Sequence, residues 1–285
     1  MATPLLTEQE SPSNRHARDH DGVPGHGDPL PDASVLEERL PVWMRLSRRA
    51  AGWTTMIGVL FLFMNYRPLW HTDLWGHLAY GRIIWRTGGL PETEPLMPLA
   101  RGVPFIDTQW LSQLIGYGVA TALGVEGLKF AYGLAIAACA VLLLVSFQRR
   151  TRRTWLALLG LLAFLGVAWQ QIAIIRPQLA GMICFTFLLA VLARRSPARW
   201  HWCAVPLLFV LWANLHGSFV VGLGLLASFC LGRAIDVIRH TGHWLSPFRD
   251  RRTRDSFLLT ELAAGAALIN PYGLGLYLEV LTFGR

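Results

Sequence analysis

Residues 128–147, LKFAYGLAIAACAVLLLVSF, form a largely apolar run, and the basic segment QRRTRR follows at 148–153. A helix needs about 20 apolar residues to cross a bilayer core, so this run predicts a membrane-spanning helix. Arginines clustered beside such a run are typical of a loop on the cytoplasmic side. The same pairing recurs along the chain. It predicts an all-α fold, a polytopic transmembrane helix bundle.

The composition also favours a membrane protein. Of the 285 residues, 53% are hydrophobic and 15% are charged, whereas soluble domains contain about 25% charged residues. The net charge of +8 comes mostly from arginine runs beside apolar segments, which argues against nucleic acid as a partner. Four cysteines lie inside apolar runs without the paired short spacing of a metal site or a disulfide framework. They are Cys139, Cys184, Cys203 and Cys230.

Apolar segments of near-spanning length predict about seven spans. They lie at 50–66, 128–147, 155–173, 178–194, 202–215, 217–236 and 256–270. The fifth and sixth can also be viewed as one helix pair broken at 214–217. The last apolar stretch, 274–283, is too short to span, and we expect the sequence to be the front part of a longer protein. Residues 1–44 predict a disordered tail, and residues 45–285 predict the transmembrane domain.

Arginine clusters set the predicted orientation. They lie at 45–49, 149–153, 194–199 and 239–254. If all face the cytoplasm, each pair must be separated by an even number of spans. Between the first two clusters this holds only if the stretch 110–123, which is short and contains polar residues, does not cross. A three-span alternative would place 149–153 outside. The preferred topology puts the N-terminus in the cytoplasm and the loop 67–127 outside.

Polar side chains gather on the outer face in this topology. An ionisable side chain near the bilayer is costly and is therefore a candidate functional group. The candidates are His71, Asp73, His77, Arg176, Asn214, His216 and Asn270. Asp73 and His77 are four residues apart, so they share one face of the amphipathic helix predicted at 70–86.

Most candidates also have a structural interpretation, and His77, on a Trp-rich face, can be a hydrogen-bonded interfacial residue. Asp73 can cap its helix, and Arg176 can be a snorkelling residue at the end of a span. Asn214 and His216 can satisfy backbone groups that a helix break frees. Asn270, followed by Pro-Tyr-Gly, is best explained as a helix-ending turn.

The first outer loop carries a recognisable pattern. It reads DLWGHLAYGRII from Asp73, then GLPETEP at 89–95, then DTQWL from Asp107. This pattern resembles the first outer loop of bacterial GT-C type membrane glycosyltransferase-like proteins. Later landmarks of that group resemble RPQ at 176–178, WANLHGS at 212–218 and NPYG at 270–273. The chain departs from the pattern at Gly76, where the family has a second Trp, and at Glu94, where the family has Asp.

The resemblance implies that a sugar is transferred from a polyprenyl-phosphate donor at the extracytoplasmic face of a bacterial inner membrane. In this family an acid of the first outer loop is the general base or a metal ligand. That implies a catalytic role for Asp73, with His77 beside it. Arg176 or His216 is expected to hold the phosphate, and a guanidinium group matches phosphate oxygens. The remaining substrate-binding candidates are Asn214 and Glu94.

The partners that the resemblance implies are the lipid-linked sugar donor and membrane lipids, with no nucleic acid. No metal ligands are assigned, and a divalent metal ion as cofactor stays open. The sequence does not specify the oligomeric state, the sugar or the acceptor.

Two other classes of protein stay open. A membrane metal-dependent hydrolase would use His71, Asp73, His77 and His216. However, His71 and His77 are six residues apart and cannot share a helix face. A non-catalytic or truncated polytopic membrane protein, including a transporter, is the second alternative. Transporters usually contain internal repeats, and the sequence has one helix break, at 214–217, with no second half.

Overall fold

The computed structural model describes residues 41, 44–68, 73–193 and 199–282. Helices dominate these residues, and no β-strand occurs among them, so the all-α prediction is confirmed. Contacts divide the chain into Met1–Ala50 and Ala51–Arg285. The tail predicted at 1–44 lies outside the described residues, apart from positions 41 and 44.

Ten helices follow one another along the described chain. They are α1 (Arg48–Tyr66), α2 (Asp73–Thr87), α3 (Trp110–Thr151), α4 (Thr154–Val167), α5 (Trp169–Ala173), α6 (Gln178–Leu192), α7 (His201–Leu215), α8 (Phe219–Thr241), α9 (Arg251–Ala267) and α10 (Leu274–Thr282). Short 3-10 turns lie at Pro98–Ala100 and Ser246–Phe248. Helix α7 ends and α8 begins around the break predicted at 214–217.

Two of these helices, α3 and α8, are long and apolar enough to cross a membrane. Helices α4, α6 and α7 are apolar but shorter, with 14, 15 and 15 residues. The described helices therefore confirm apolar helices of spanning length, and they do not confirm a bundle of about seven spans.

Helix α3 is interrupted at Gly124, where φ is 68° and ψ is −171°. A straight helix of 42 residues would be about 63 Å long, roughly twice the bilayer core. The interruption makes 110–123 a helical segment of its own. This segment packs against α2 so closely that a Cβ on Gly81 would meet the backbone carbonyl of Gln113. The outer-loop helix and the first part of α3 are therefore one closely packed helix pair.

The largest buried apolar cluster lies among helices α6 to α10. Trp212, Phe209 and Phe219 are almost fully buried in it. A Cβ on Gly222 would collide with the Trp212 ring, so this glycine allows α8 to approach α7. Two smaller clusters join α1, α3, α4 and α6. The site described next lies at the ends of the helices that these clusters hold together.

Candidate functional site

A cleft of about 390 Å³ lies where α2, α6 and α8 begin. Four residues predicted from the sequence line it: Asp73, His77, Arg176 and His216. Its other lining residues are Thr108, Gln109, Pro177, Gln178, Gly217, Ser218, Val220 and Val280. Segments far apart in the sequence therefore bring an acid, a guanidinium and two imidazoles to one cavity.

Asp73 and Arg176 form an ion pair across 103 residues, in which Arg176 Nη2 donates to Asp73 Oδ2. Asp73 is the first residue of α2, and Arg176 lies in the short connection between α5 and α6. Within the described residues, the Asp73 carboxylate makes no hydrogen bond to the first turn of its helix. Its contact with Arg176, rather than helix capping, fixes its position.

His77 is positioned by a buried polar chain that begins in α3. Gln113 Nε2 lies 3.5 Å from His77 Nδ1 and donates to Asp107 Oδ1 at 3.2 Å. The Gln113 amide can donate to Nδ1 only in the tautomer that carries the imidazole proton on Nε2. Burial lowers the pKa of His77, while the charge of Asp73 raises it and that of Arg176 lowers it. These contacts and the burial therefore favour a neutral His77 imidazole that is protonated on Nε2.

Asp107 is the last residue of this series of hydrogen-bonded side chains, and it is 2% exposed. Its Oδ1 also accepts the backbone N–H of Gln109 at 3.0 Å, and its Oδ2 has no partner in the described part of the chain. Burial raises the pKa of Asp107 to about 6, the Gln109 N–H lowers it, and the charge of Glu94 raises it. Asp107 is thus a buried acid that titrates close to neutrality.

His216 lies across the cleft between α7 and α8. Its Nδ1 accepts the backbone N–H of Ser218 at 3.0 Å, and this local contact closes the turn into α8. Burial, followed by the charge of His77, lowers the pKa of His216 to about 4. The ring is therefore neutral at physiological pH. It can donate a hydrogen bond from Nε2, but it cannot neutralise a phosphate.

Asn214 and Glu94 do not line the cleft. Asn214 joins three elements, because its Oδ1 accepts Trp110 Nε1 at 3.1 Å and its Nδ2 donates to Val210 and Ile269 carbonyls at 2.8 and 2.9 Å. Both atoms of the Asn214 amide are therefore bonded within the protein, and Asn214 is not among the residues that line the cleft.

Glu94 organises the outer loop. Its carboxylate accepts the backbone N–H groups of Leu96 and Met97 at 2.7 and 2.9 Å and the Tyr80 hydroxyl at 2.8 Å. Burial opposes ionisation of this carboxylate, but the three donors outweigh it and lower the pKa of Glu94. The charge of Glu94 reaches the site only through its effect on Asp107.

The remaining candidates differ in what the structure describes. Asn270 holds a helix-ending turn, since Nδ2 donates to the Ala267 carbonyl at 2.8 Å and Oδ1 accepts the Tyr272 N–H at 2.8 Å. His71 lies outside the described residues. Among the residues that are described, no group of three His, Cys, Asp or Glu side chains could hold a metal ion.

An apolar groove of about 350 Å³ adjoins the polar cleft, and His77, Arg176 and Pro177 line both. Its walls come from α2, α3 and α6. They include Leu74, Leu78, Ile115, Val119, Leu128 and Ile183. A molecule with a charged head and an apolar chain could therefore occupy both cavities at once.

Gln113 was not among the residues predicted for the site. The available signal was a polar side chain inside the otherwise apolar stretch 110–123, but periodicity does not show which residue such a side chain meets. Comparison with known proteins finds no match to a family model, to a curated protein or to a solved structure.

Proposed function

We propose that this chain is an integral membrane glycosyltransferase-like protein that transfers a sugar from a polyprenyl-phosphate donor to an acceptor hydroxyl. The observation that carries the proposal is the polar cleft with Asp73, His77 and Arg176, which opens into an apolar groove. A lipid-linked donor needs both parts, because its phosphate and sugar are polar and its chain is apolar. The motif resemblance in the first outer loop supports the same reaction.

In the proposed reaction the acceptor hydroxyl oxygen attacks the anomeric carbon of the donor sugar. The bond between that carbon and the phosphate oxygen breaks, and both electrons leave with the lipid phosphate. The hydroxyl proton passes to the Asp73 carboxylate, which is partly exposed in the cleft. A positioned carboxylate contributes about 10²–10⁴ in rate as a general base.

Arg176 would neutralise the leaving phosphate. Its guanidinium presents several N–H donors in a plane that matches phosphate oxygens. In the free protein Nη2 is bonded to Asp73, so a bound phosphate would share Arg176 with the base. His77 would then donate a hydrogen bond from Nε2 to the acceptor or the phosphate, since Gln113 faces its Nδ1.

The proposed location is the extracytoplasmic face of a bacterial inner membrane, in a multi-pass protein with its N-terminus in the cytoplasm. Two helices of spanning length support membrane association. Arginine clusters next to the apolar segments of the sequence support the orientation, since such clusters are typical of cytoplasmic loops.

The experiment that tests the function compares Asp73→Asn with the parent in transfer of labelled sugar from a polyprenyl-phosphate donor in membranes. We expect the Asn variant to lose about 10²–10⁴ of the rate while it inserts at the parent level. Glu92→Gln is the matched control, because Glu92 is an exposed acid of the same loop and should transfer sugar normally. Transfer by Asp73→Asn at the parent rate would refute this assignment.

A further inference from the structure

A second cleft, of about 470 Å³, lies beside the Asp73 cleft and shares Arg176 and Gln178 with it. It is bounded by the end of α1, by α3 and by the α5–α6 connection. Its polar lining residues are Arg67, Lys129, Gln170, Gln171, Arg176 and Gln178. The reaction proposed above uses Arg176 alone among them.

Two guanidinium groups of this cleft have buried nitrogens without partners. Arg67 Nη1 and Arg176 Nε are inaccessible to solvent and make no hydrogen bond within the described residues. A buried donor that lacks a partner costs about 1–3 kcal/mol, and more when the group is charged. An unpaired buried donor needs an explanation, such as an ion held at the site, and both guanidinium groups line the cleft.

The charges also favour an anion. Lys129 pairs with Glu126 at 3.0 Å, and Arg176 pairs with Asp73. Arg67 has no carboxylate partner in the described chain, and residues 69–72, Leu-Trp-His-Thr, contain no acid. The cleft therefore holds one uncompensated positive charge, that of Arg67.

Arg67 is also held in a fixed orientation. Its guanidinium carbon lies 4.9 Å from the centre of the Trp169 ring. A guanidinium stacked on an aromatic face keeps its N–H donors free in the plane of the group.

The opposite wall, the α5–α6 connection, is held by Tyr132 of α3. The Tyr132 hydroxyl lies 2.8 and 2.5 Å from the carbonyl oxygens of Ile172 and Ile174, and its single hydrogen is shared between these acceptors.

We propose that this cleft binds a phosphate or diphosphate group between Arg67 and Arg176, as a second anion site beyond the Asp73 cleft. The tetrahedral oxygens would accept from both guanidinium groups, with the Gln170 and Gln171 side chains at the rim. The group can belong to a lipid headgroup or to a soluble phosphate, because the recognising chemistry is the same. Since Arg176 also bonds Asp73, an anion here competes with Asp73 for that guanidinium.

The test is calorimetric titration of the full chain in phosphatidylcholine nanodiscs with inorganic diphosphate, at fixed ionic strength. The parent should bind diphosphate saturably. Arg67→Gln should lose at least about 10-fold in affinity, as expected for loss of a charge-assisted hydrogen bond. Arg82→Gln is the matched control, because Arg82 is exposed on α2 and should keep the parent affinity. Asp73→Asn should bind several-fold more tightly, because it releases Arg176.

Repeating the titration in nanodiscs that contain phosphatidylglycerol distinguishes the two sources. Weaker diphosphate binding there identifies a lipid headgroup as the occupant, and unchanged binding identifies a soluble phosphate. If Arg67→Gln does not fold, Arg67→Lys replaces it, because lysine keeps the charge but lacks the planar fork and should still bind more weakly. Absence of saturable binding by the parent, or parent affinity in the Arg67 variant, overturns the proposal. Because no arm measures sugar transfer, this site and the proposed reaction can fail independently.

Discussion

Gln113 Nε2 donates to Asp107 Oδ1 at 3.2 Å, and both side chains are buried. The same amide nitrogen lies 3.5 Å from His77 Nδ1. A buried acid without a basic partner is therefore connected to the imidazole of the cleft by a single side chain. His77 belongs to α2 and Gln113 to α3, so the tautomer of His77 depends on a side chain of a neighbouring helix.

Gln113→Leu should release the His77 tautomer. Leucine fills similar space but cannot donate to Nδ1, so both tautomers of the neutral ring become accessible. Nitrogen-15 NMR of histidine-labelled protein should show Nε2–H in the parent and a mixture in the variant. The signals of His216, which is fixed by Ser218, should not change and act as an internal control. A His77 spectrum identical to that of the parent would contradict the positioning role of Gln113.

Asp107→Asn should flatten the dependence of stability on pH. Burial raises the pKa of Asp107 from 3.8 to about 6, so the folded protein holds this proton more tightly than the unfolded chain. The resulting stabilisation is complete below the unfolded value and is lost as the pH rises through about 6, a change of about 3 kcal/mol.

Thermal unfolding in detergent between about pH 4 and pH 8 measures this effect. The unfolding midpoint of the parent should fall relative to that of Asp107→Asn as the pH rises through this range. Parallel midpoints for the two proteins would mean that Asp107 does not titrate in this range.

Gly81→Ala should destabilise the packing of α2 on α3. The added Cβ would meet the carbonyl group of Gln113 and the Cβ of Tyr117, and a backbone cannot move aside as a flexible side chain can. Gly76→Ala is the matched control in the same helix, because nothing lies within 4 Å of its Cβ position. Alanine should stabilise that position by up to about 1 kcal/mol. Thermal unfolding midpoints that shift in the same direction for both variants would contradict this packing.

The orientation can be tested by cysteine labelling of intact cells. In a background without the four natural cysteines, Glu92→Cys should react with a membrane-impermeant maleimide. Arg150→Cys should not, because the spacing of the arginine clusters predicts that 149–153 faces the cytoplasm. Both positions are exposed, so a difference reports the side of the membrane. Labelling of Arg150→Cys from outside would support the alternative with three spans between Arg49 and Arg149.

Hydrophobic runs in the sequence predicted where most helices lie, because apolar composition and length are local properties. Helix α6, for example, falls within the predicted 178–194. The predicted span 155–173 instead ends at Val167, and a short helix follows from Trp169. Four polar residues that the sequence indicated as candidates, Asp73, His77, Arg176 and His216, lie together in one cleft.

The contacts that organise the cleft could not be predicted in the same way. Gln113 meets His77 across 36 residues, and Trp110 meets Asn214 across 104. Helical periodicity describes a face of one helix and says nothing of the helix opposite. The contacts of Glu94 also differ from the prediction. The motif suggested that Glu94 binds substrate, whereas its carboxylate oxygens accept hydrogen bonds from the backbone of its own loop. The sequence did not indicate Arg67 as a binding residue, because its position in the second cleft depends on contacts with Trp169 and on the nearby Arg176.

The distance in sequence between Asp73 and Arg176 sets a delay during synthesis. The two residues are separated by 103 positions, which a ribosome covers in about 5–20 s at roughly 5–20 residues per second. During that interval the carboxylate has been made and its guanidinium has not. The acid of the early helix pair therefore stays unpaired until Arg176, which follows the third apolar segment, leaves the ribosome. Any factor that slows elongation between these two codons lengthens the time for which the nascent cleft is incomplete.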